Sequence, residues 1–238
     1  MIKNIKRITA DYQKMWNESK DQLQTGNIDP DPVPDNTSRR WGVSIVIRPT
    51  EPVLSRLSNV VQELAEFTGN EQVLYGQSNL HTTLRSIEFQ RLEVDENDEK
   101  VQEYIKALEA VVKKFGPIRI TYKGLTANRG GVMAQGWPVD DTLQDIREAF
   151  HGEIEKRGLL GGPEEINVRQ TSHASLIVIT HPLANPLGLV EYVEKNRETD
   201  YGTSEATSID LVRYRRGDAS VSLVVFASLH LLNNEEKN

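Results

Sequence analysis

Apolar positions recur along this chain with two different spacings, and the changes between them divide it into helices and strands. A spacing of three or four residues predicts amphipathic helices, which lie within residues 1–24 and over 51–67, 95–115, 140–157 and 186–196. Runs rich in β-branched and aromatic residues predict strands, which cover residues 41–48, 81–89, 118–125, 131–137, 173–180, 208–215 and 220–232.

The order of these elements indicates the fold class. From residue 41 onwards it is strand, helix, strand, helix, hairpin, helix, strand, helix, hairpin, so two similar halves follow each other. We therefore expect an α+β, pseudo-symmetric bilobal fold, in which two antiparallel-dominated sheets flank a central groove and the helices lie outside.

A proline-rich run separates the first helix from the rest of the chain. Residues 29–35 (DPDPVPD) prevent a continuous helix and are typical of a stiff linker. We predict an N-terminal helical arm with this linker over residues 1–38, a bilobal domain over 39–233 and a tail over 234–238. The arm could pack on the body, pack on a second subunit or form a partly ordered appendage. The oligomeric state is equally open.

Two short segments repeat one pattern at the start of two predicted strands. The letters NLHTTL, with His81 and Thr83, and TSHASL, with His173 and Ser175, each contain histidine, any residue, a hydroxyl residue and an apolar residue. Side chains at i and i+2 of a strand project from the same face, so each histidine shares a face with its hydroxyl partner. If the two strands are neighbours, two imidazoles and two hydroxyls converge on one spot.

Such a set of side chains suits a phosphodiester. Histidine can act as base and acid near neutral pH, because its unperturbed pKa lies there. One imidazole could take the proton of the attacking hydroxyl while the other protonates the departing oxygen, and Thr83 and Ser175 could donate to the non-bridging oxygens. The alternative is that both histidines are ordinary residues of half-buried strands. Which histidine is base and which is acid depends on the orientation of the substrate.

Composition narrows the class of protein. A chain of 238 residues with 37% apolar and 26% charged residues has the make-up of a soluble globular protein. It has no cysteine, no long apolar run and no apolar leader, so we expect no disulfide, no thiolate chemistry, no membrane span and a cytoplasmic location. The net charge of −7 argues against long duplex nucleic acid as a partner, whereas a nucleotide or short RNA is compatible with a local basic pocket.

The spacing His-x-Thr is unsuited to a metal site, and the glycine pairs match no phosphate-loop pattern. We predict neither a metal nor a cofactor.

Six further residues are weaker candidates for contacts to a substrate. Arg85 shares the alternation face of His81 and Thr83, and Arg169 just precedes the second motif, so either could reach a phosphate. The aromatic residues that could stack on a base are Tyr75, Tyr122, Trp41 and Tyr214. For each of the six, a place at the surface, in the core or at the rim is the alternative.

With these motifs the chain resembles the 2H phosphoesterase superfamily, which includes the 2′-5′ RNA ligase-like proteins and the cyclic nucleotide phosphodiesterases. The resemblance rests on HTTL from His81, HASL from His173, their separation, and the order of elements over residues 41–232. It implies a hydrolase, a metal-independent phosphodiesterase in which His81, Thr83, His173 and Ser175 act on a cyclic or 2′-5′ linked nucleotide or an RNA end. Residues 1–40 fall outside it. The last strand begins with serines where ligase-like members often carry an aromatic residue, so the subgroup stays open.

Other functions are compatible with the same residues. The chain could be a non-catalytic nucleotide- or RNA-binding module that keeps the groove, although binding alone would not require two acid–base groups. It could also be a metal-dependent phosphohydrolase that uses the histidines as ligands. A ligase role is less favoured than hydrolysis, because the acidic surface does not favour two polymer ends held together.

Overall fold

The architecture is α+β, with an antiparallel sheet and helices packed outside it. The computed structural model describes residues 2–38, 40–162 and 169–232. The strands of these residues are β1 (Ser44–Ile47), β2 (Val73–Leu74), β3 (Thr82–Ser86), β4 (Ile118–Asn128), β5 (Gly131–Pro138), β6 (Ala174–Val178), β7 (Asp200–Ala206), β8 (Ser208–Arg216) and β9 (Val221–His230). The helices are α1 (Ile5–Gln24), α2 (Val53–Thr68), α3 (Glu99–Val112), α4 (Thr142–Lys156) and α5 (Pro186–Lys195). The predicted tail over 234–238 lies outside the described residues.

The strands join into a sheet with two halves. Its order is β7-β4-β5-β6-β3-β1-β8-β9, with the short β2 also paired to β6, and the pairings are antiparallel. Over the described residues the two halves meet through a single pair, Thr82 on β3 opposite Ala174 on β6. The predicted α+β bilobal fold with two antiparallel halves is confirmed, and its two motif strands lie at the junction.

The helices form where apolar residues recur at three- and four-residue spacing, and they turn those residues towards the sheet. In α2 the buried apolar residues are Val53, Leu57, Val60, Val61 and Leu64. This helix packs on β6, β7 and α5, whereas α3 packs on α4, β8 and β9. Among the described helices, none combines the length and the apolar character that a membrane crossing requires.

Two predicted boundaries are wrong and one strand is missing from the prediction, each for a local physical reason. The first strand begins at Ser44 rather than at residue 41, because Trp41 has a φ of 70°, in the left-handed region that a strand does not use. Helix α3 begins at Glu99 rather than at residue 95, because the Asp98 carboxylate accepts from the amides of Lys100 at 3.0 Å and Val101 at 3.3 Å and caps the helix there. The edge strand β7 was not predicted, since its sequence DYGTSEA is rich in residues that strands disfavour.

Helix α1 is packed on the body of the protein. It contacts β4, β5 and α5, and its buried residues Ile8, Tyr12, Trp16 and Leu23 recur on one face. The Tyr12 hydroxyl accepts from the amides of Gly136 at 3.1 Å and Ser172 at 3.3 Å and lies 3.2 Å from the Gly136 carbonyl oxygen. Of the arrangements left open for the arm, packing on the body is the one seen. The division of the chain at residue 38 stays a prediction.

Candidate active site

The pairing of β3 with β6 brings the two motifs to one cavity. Its volume is about 230 Å³, and it lies between the two halves of the sheet. The residues that the motif strands contribute to its wall are His81, Thr83, Ser86, His173, Ser175 and Val178. The two histidines and the two hydroxyl residues that the sequence selects therefore lie together, as expected if the two strands are neighbours. Their roles stay predictions.

Each motif strand contains a β-bulge at the apolar residue that closes the motif. On β3 the register skips Leu84, between Thr83 and Arg85. On β6 it skips Leu176 in the same way. Both leucines are fully buried. Because a bulge inserts one residue into the alternation, each strand lines the cavity at i, i+2 and i+5 instead of i, i+2 and i+4.

This bulge corrects the prediction for Arg85. Simple alternation places Arg85 on the face of His81 and Thr83, but the extra residue Leu84 moves it off that face. Ser86 lines the cavity in its place. Arg85 is 3% exposed and is not part of the cavity wall.

The hydrogen bonds of His81 define its tautomer. Nδ1 is 2.7 Å from the carbonyl oxygen of Asn79, which only accepts, so Nδ1 carries the hydrogen and Nε2 is unprotonated. The Tyr214 hydroxyl lies 3.1 Å from Nε2 and donates to it. Burial lowers the pKa of His81 to about 4; the bond to Asn79 opposes this shift, and the cations Arg169 and Arg48 strengthen it. A neutral imidazole with Nε2 towards the cavity is suited to accept a proton.

His173 has the same tautomer, set by different partners. The Arg169 guanidinium lies 3.4 Å from Nε2 and can only donate, so Nε2 is unprotonated. Nδ1 then donates to the Thr171 hydroxyl, 3.0 Å away. Desolvation holds the pKa of His173 well below its usual range, and the nearby cations Arg169 and Arg147 and the imidazole of His81 lower it further. Both histidines are therefore neutral near pH 7 in the free protein.

The predicted aromatic candidates fall into two groups. Tyr75, Trp41 and Tyr214 line the cavity. Tyr75 packs edge-on to His81 with ring centroids 5.6 Å apart, and Trp41 packs edge-on to Tyr214 at 5.5 Å. The Tyr214 hydroxyl is also 3.3 Å from the Thr83 hydroxyl, so this residue contacts both members of the first motif.

Tyr122 forms the other group, because it does not line the cavity. It is fully buried on β4, and its hydroxyl lies 2.6 Å from that of Thr82. Thr82 alternates with His81 and Thr83 and so faces away from the cavity. The bond to Thr82 therefore holds Tyr122 in the core.

Two arginines at the site were not selected from the sequence. Arg40 lines the cavity from the segment before β1. Arg147, buried on α4, donates to the carbonyl oxygens of Leu84 and Thr171, each at 2.8 Å. It thus supplies a hydrogen-bond donor to the carbonyl oxygen of Leu84, the extra residue of the β3 bulge, and it holds the segment before His173. Neither arginine has a local signal, since both reach the site only through the tertiary fold.

No three histidine, aspartate or glutamate side chains in the described part of the chain are grouped so that they could hold a metal ion.

Comparison with known proteins establishes the fold. No family model matches the chain, and no curated protein does. TT0787 of Thermus thermophilus has a TM-score of 0.61 at 13% identity, over 80% of this chain and 97% of that one. LigT of Escherichia coli, in complex with 3′-AMP, has a TM-score of 0.52 at 12% identity, over 81% of this chain and 99% of that one. A phosphoesterase has a TM-score of 0.53 at 12% identity, over 81% and 99%. At 12–13% identity these likenesses show that the chain shares its fold with LigT and with the phosphoesterase.

Proposed function

We propose that this protein is a metal-independent phosphodiesterase that cleaves a cyclic or 2′-5′ linked nucleotide, or an RNA end, by general acid–base catalysis. The observation that carries the proposal is that two imidazoles, each with an unprotonated Nε2, line one cavity with the hydroxyl residues Thr83 and Ser175. The similarity of fold to LigT, which was crystallised with 3′-AMP, supports a nucleotide as the ligand.

The proposed reaction breaks one P–O bond. One histidine takes a proton from water as the water oxygen bonds to phosphorus and the bond to the departing ribose oxygen breaks. The other histidine, in its protonated form, gives its proton to that departing oxygen, which leaves as a hydroxyl. The products are a phosphomonoester and a ribose hydroxyl, and proton exchange with solvent restores both imidazoles. Thr83 and Ser175 donate to the non-bridging oxygens as their charge increases.

The substrate itself makes the acid role possible. Both imidazoles are neutral near pH 7 in the free protein, since their pKa values are low. A bound phosphodiester brings a negative charge between them, which favours an imidazolium and offsets the cation Arg169. One histidine is then protonated in the complex while the other stays neutral.

Arg169 supports a reaction without a metal. Its guanidinium is 3.4 Å from Nε2 of His173, which is the unprotonated nitrogen that would have to coordinate a metal ion. A fixed cation at this place repels a metal cation and attracts a phosphate oxygen.

The test is an assay in excess EDTA with a panel of phosphodiesters. The panel contains 2′,3′-cyclic mononucleotides, 2′-5′ and 3′-5′ oligoadenylates, and cyclic di- and trinucleotides. We expect turnover of at least one member, and a loss of about 10²–10⁴-fold in both His81→Ala and His173→Ala. His181→Ala is the matched control, because His181 bonds to Thr180 and to the Glu71 carbonyl away from the cavity.

Three results would contradict the proposal. Turnover that disappears in EDTA would indicate a metal-dependent phosphohydrolase. Turnover that persists in either histidine variant would remove that residue from the chemistry. The absence of turnover across the panel, with nucleotide binding intact in both variants, would indicate a binding module.

A further inference from the structure

A second, larger groove is continuous with the two-histidine cavity. Its volume is about 730 Å³. The residues that line both spaces are Arg40, Ser86, Arg169, His173, Ser175 and Val178. Its far wall is one face of α1, formed by Arg7, Asp11, Lys14 and Met15. We call this space the α1 groove.

The sizes of the two spaces indicate that a substrate occupies both. Pockets for small organic ligands usually measure about 300–1,000 Å³. At about 230 Å³ the two-histidine cavity is below that range, so it suits a phosphate group and little more. The rest of a nucleotide substrate needs the space beyond His173, and the α1 groove lies there.

The charge of the α1 groove is opposite to that of the whole protein. Arg7, Lys14, Arg40 and Arg169 bring four cations to its wall, against the one carboxylate of Asp11. Two of these cations also have acidic neighbours: Arg40 lies 2.8 Å from Asp31, and Lys14 lies 3.8 Å from Glu18 across an exposed helix face. In a chain of net charge −7, such a cluster attracts a polyanion locally.

The groove also offers apolar surface beside the charges. Met15 is half-buried on α1, and the more deeply buried Met133 and Ile177 lie behind it on the wall. Apolar and polarisable side chains next to cations are the combination on which single-stranded nucleic acids bind, with bases on the apolar part and phosphates on the cations.

Helix α1 holds this wall in a fixed position relative to the second motif. Tyr12 lies on the same helix, is 1% exposed, and accepts from the amide of Ser172, the residue before His173. Trp16, one turn further along α1, is buried as well. The groove is therefore formed before a ligand arrives, which lowers the entropic cost of binding.

From these observations we infer that the α1 groove is a second phosphate-binding subsite, and that the preferred substrate is a single-stranded oligonucleotide with a further phosphate beyond the scissile one. The inference rests on the proposed function. Arg7 and Lys14 contact the additional phosphate, while the scissile phosphate lies between the histidines. A 2′,3′-cyclic mononucleotide has no phosphate beyond the scissile one, so it does not depend on Arg7 and Lys14.

The kinetic test compares a 2′-5′ oligoadenylate with a 2′,3′-cyclic mononucleotide in the double variant Arg7→Ala/Lys14→Ala. We expect the ratio of kcat/KM for the oligonucleotide to that for the mononucleotide to fall tenfold or more. Lys6→Ala is the matched control, since Lys6 is exposed on α1 but is not part of the groove wall, and it should leave the ratio unchanged. An unchanged ratio in the double variant would overturn the inference.

A binding measurement keeps this inference separate from the proposed function. The affinity of a fluorescently labelled oligoadenylate is measured by anisotropy over a range of salt concentrations, in the His81→Ala background. We expect removal of Arg7 and Lys14 to lower the slope of log affinity against log salt by about 0.7 per lost phosphate contact. An unchanged slope with normal folding would exclude the subsite. A lower slope without turnover in the wild type would retain the subsite and exclude the enzyme.

Discussion

His81 and His173 share a tautomer but differ in what faces Nε2. For His81 it is the Tyr214 hydroxyl, and for His173 it is the Arg169 guanidinium. A hydroxyl can turn from donor to acceptor when the imidazole becomes protonated, whereas a guanidinium cannot. Protonation of His173 therefore requires that a bound anion offset Arg169, and this dependence bears on how activity varies with pH.

The pH dependence of kcat/KM follows from the low pKa values. kcat/KM reports the free protein, in which the acid histidine is protonated only in a small fraction that decreases as pH rises. We expect log kcat/KM to fall with rising pH already below pH 6.5, and the fall in kcat to occur at higher pH, because the bound phosphodiester raises the pKa of the acid. Initial rates between pH 4 and pH 9 measure both profiles.

Replacing Arg169 should shift the pH profile of kcat/KM to higher pH. Arg169 lowers the pKa of both histidines, after burial itself. Arg169→Gln should raise both, so the falling part of the kcat/KM profile moves to higher pH. Arg119→Gln serves as the control, because Arg119 is paired with Asp140 at an exposed site. A shift to lower pH in Arg169→Gln, or the same shift in both variants, would contradict the assignment.

At the scale of the elements, the position of the second motif depends on close contact between β5 and the segment before β6. Gly136 on β5 leaves no room for a side chain, since an added Cβ would lie 2.0 Å from the Ser172 carbonyl oxygen. The Gly136 carbonyl also accepts from the Ser172 hydroxyl at 2.7 Å. Tyr12 bonds to the backbone of both residues. Helix α1, strand β5 and the second motif are thus one unit.

We expect Gly136→Ala to destabilise the fold and to displace His173. Overpacking of this kind costs about 1–3 kcal/mol, and kcat should fall with it. Gly152→Ala is the matched change, because Gly152 lies inside α4 with nothing within 4 Å of an added Cβ; it should stabilise by about 0.5–1 kcal/mol. Denaturant midpoints and kcat are measured for both. Equal stability of the two variants would exclude the proposed contact.

The bulges explain why the motif ends in an apolar residue. Leu84 and Leu176 are the extra residues of their strands and pack in the core, while the residues two and five positions after each histidine line the cavity. Arg147 bonds to the carbonyl of Leu84 and to the backbone before His173, so one side chain of α4 contacts both motif segments. Arg147 therefore holds the two motif segments in position relative to each other.

At the scale of the whole molecule, an acidic protein carries a basic groove at its centre. The net charge of −7 opposes the approach of long nucleic acid, while the cations around His173 attract a short anionic strand. This distribution of charge favours a small or single-stranded substrate over a duplex.

The features of the fold and of the cavity that depend on a local pattern of residues could be predicted from the sequence. Three- and four-residue periodicity predicted every boundary of α2, α4 and α5 to within two residues. The repeated His-x-hydroxyl pattern predicted which two strands would line a common cavity if they were neighbours. The prediction for Arg85 gave the wrong face of β3, because the bulge forms only when β3 pairs with β1. The prediction for Trp41 included it in the first strand, because the neighbouring residues do not indicate its left-handed φ. Arg40 and Arg147 reach the cavity from distant segments, so nothing near the motifs points to them.

In the proposed mechanism the two histidines divide the acid and base roles on one phosphodiester. The most direct test compares His81→Ala and His173→Ala on two substrates that differ only in the leaving group, a ribose hydroxyl or para-nitrophenolate. Because para-nitrophenolate departs without a proton, the variant that lacks the acid should regain activity by about 10²-fold or more, and the variant that lacks the base should not. Equal impairment of both variants on both substrates would mean that neither imidazole protonates the leaving group, and would exclude this division of roles.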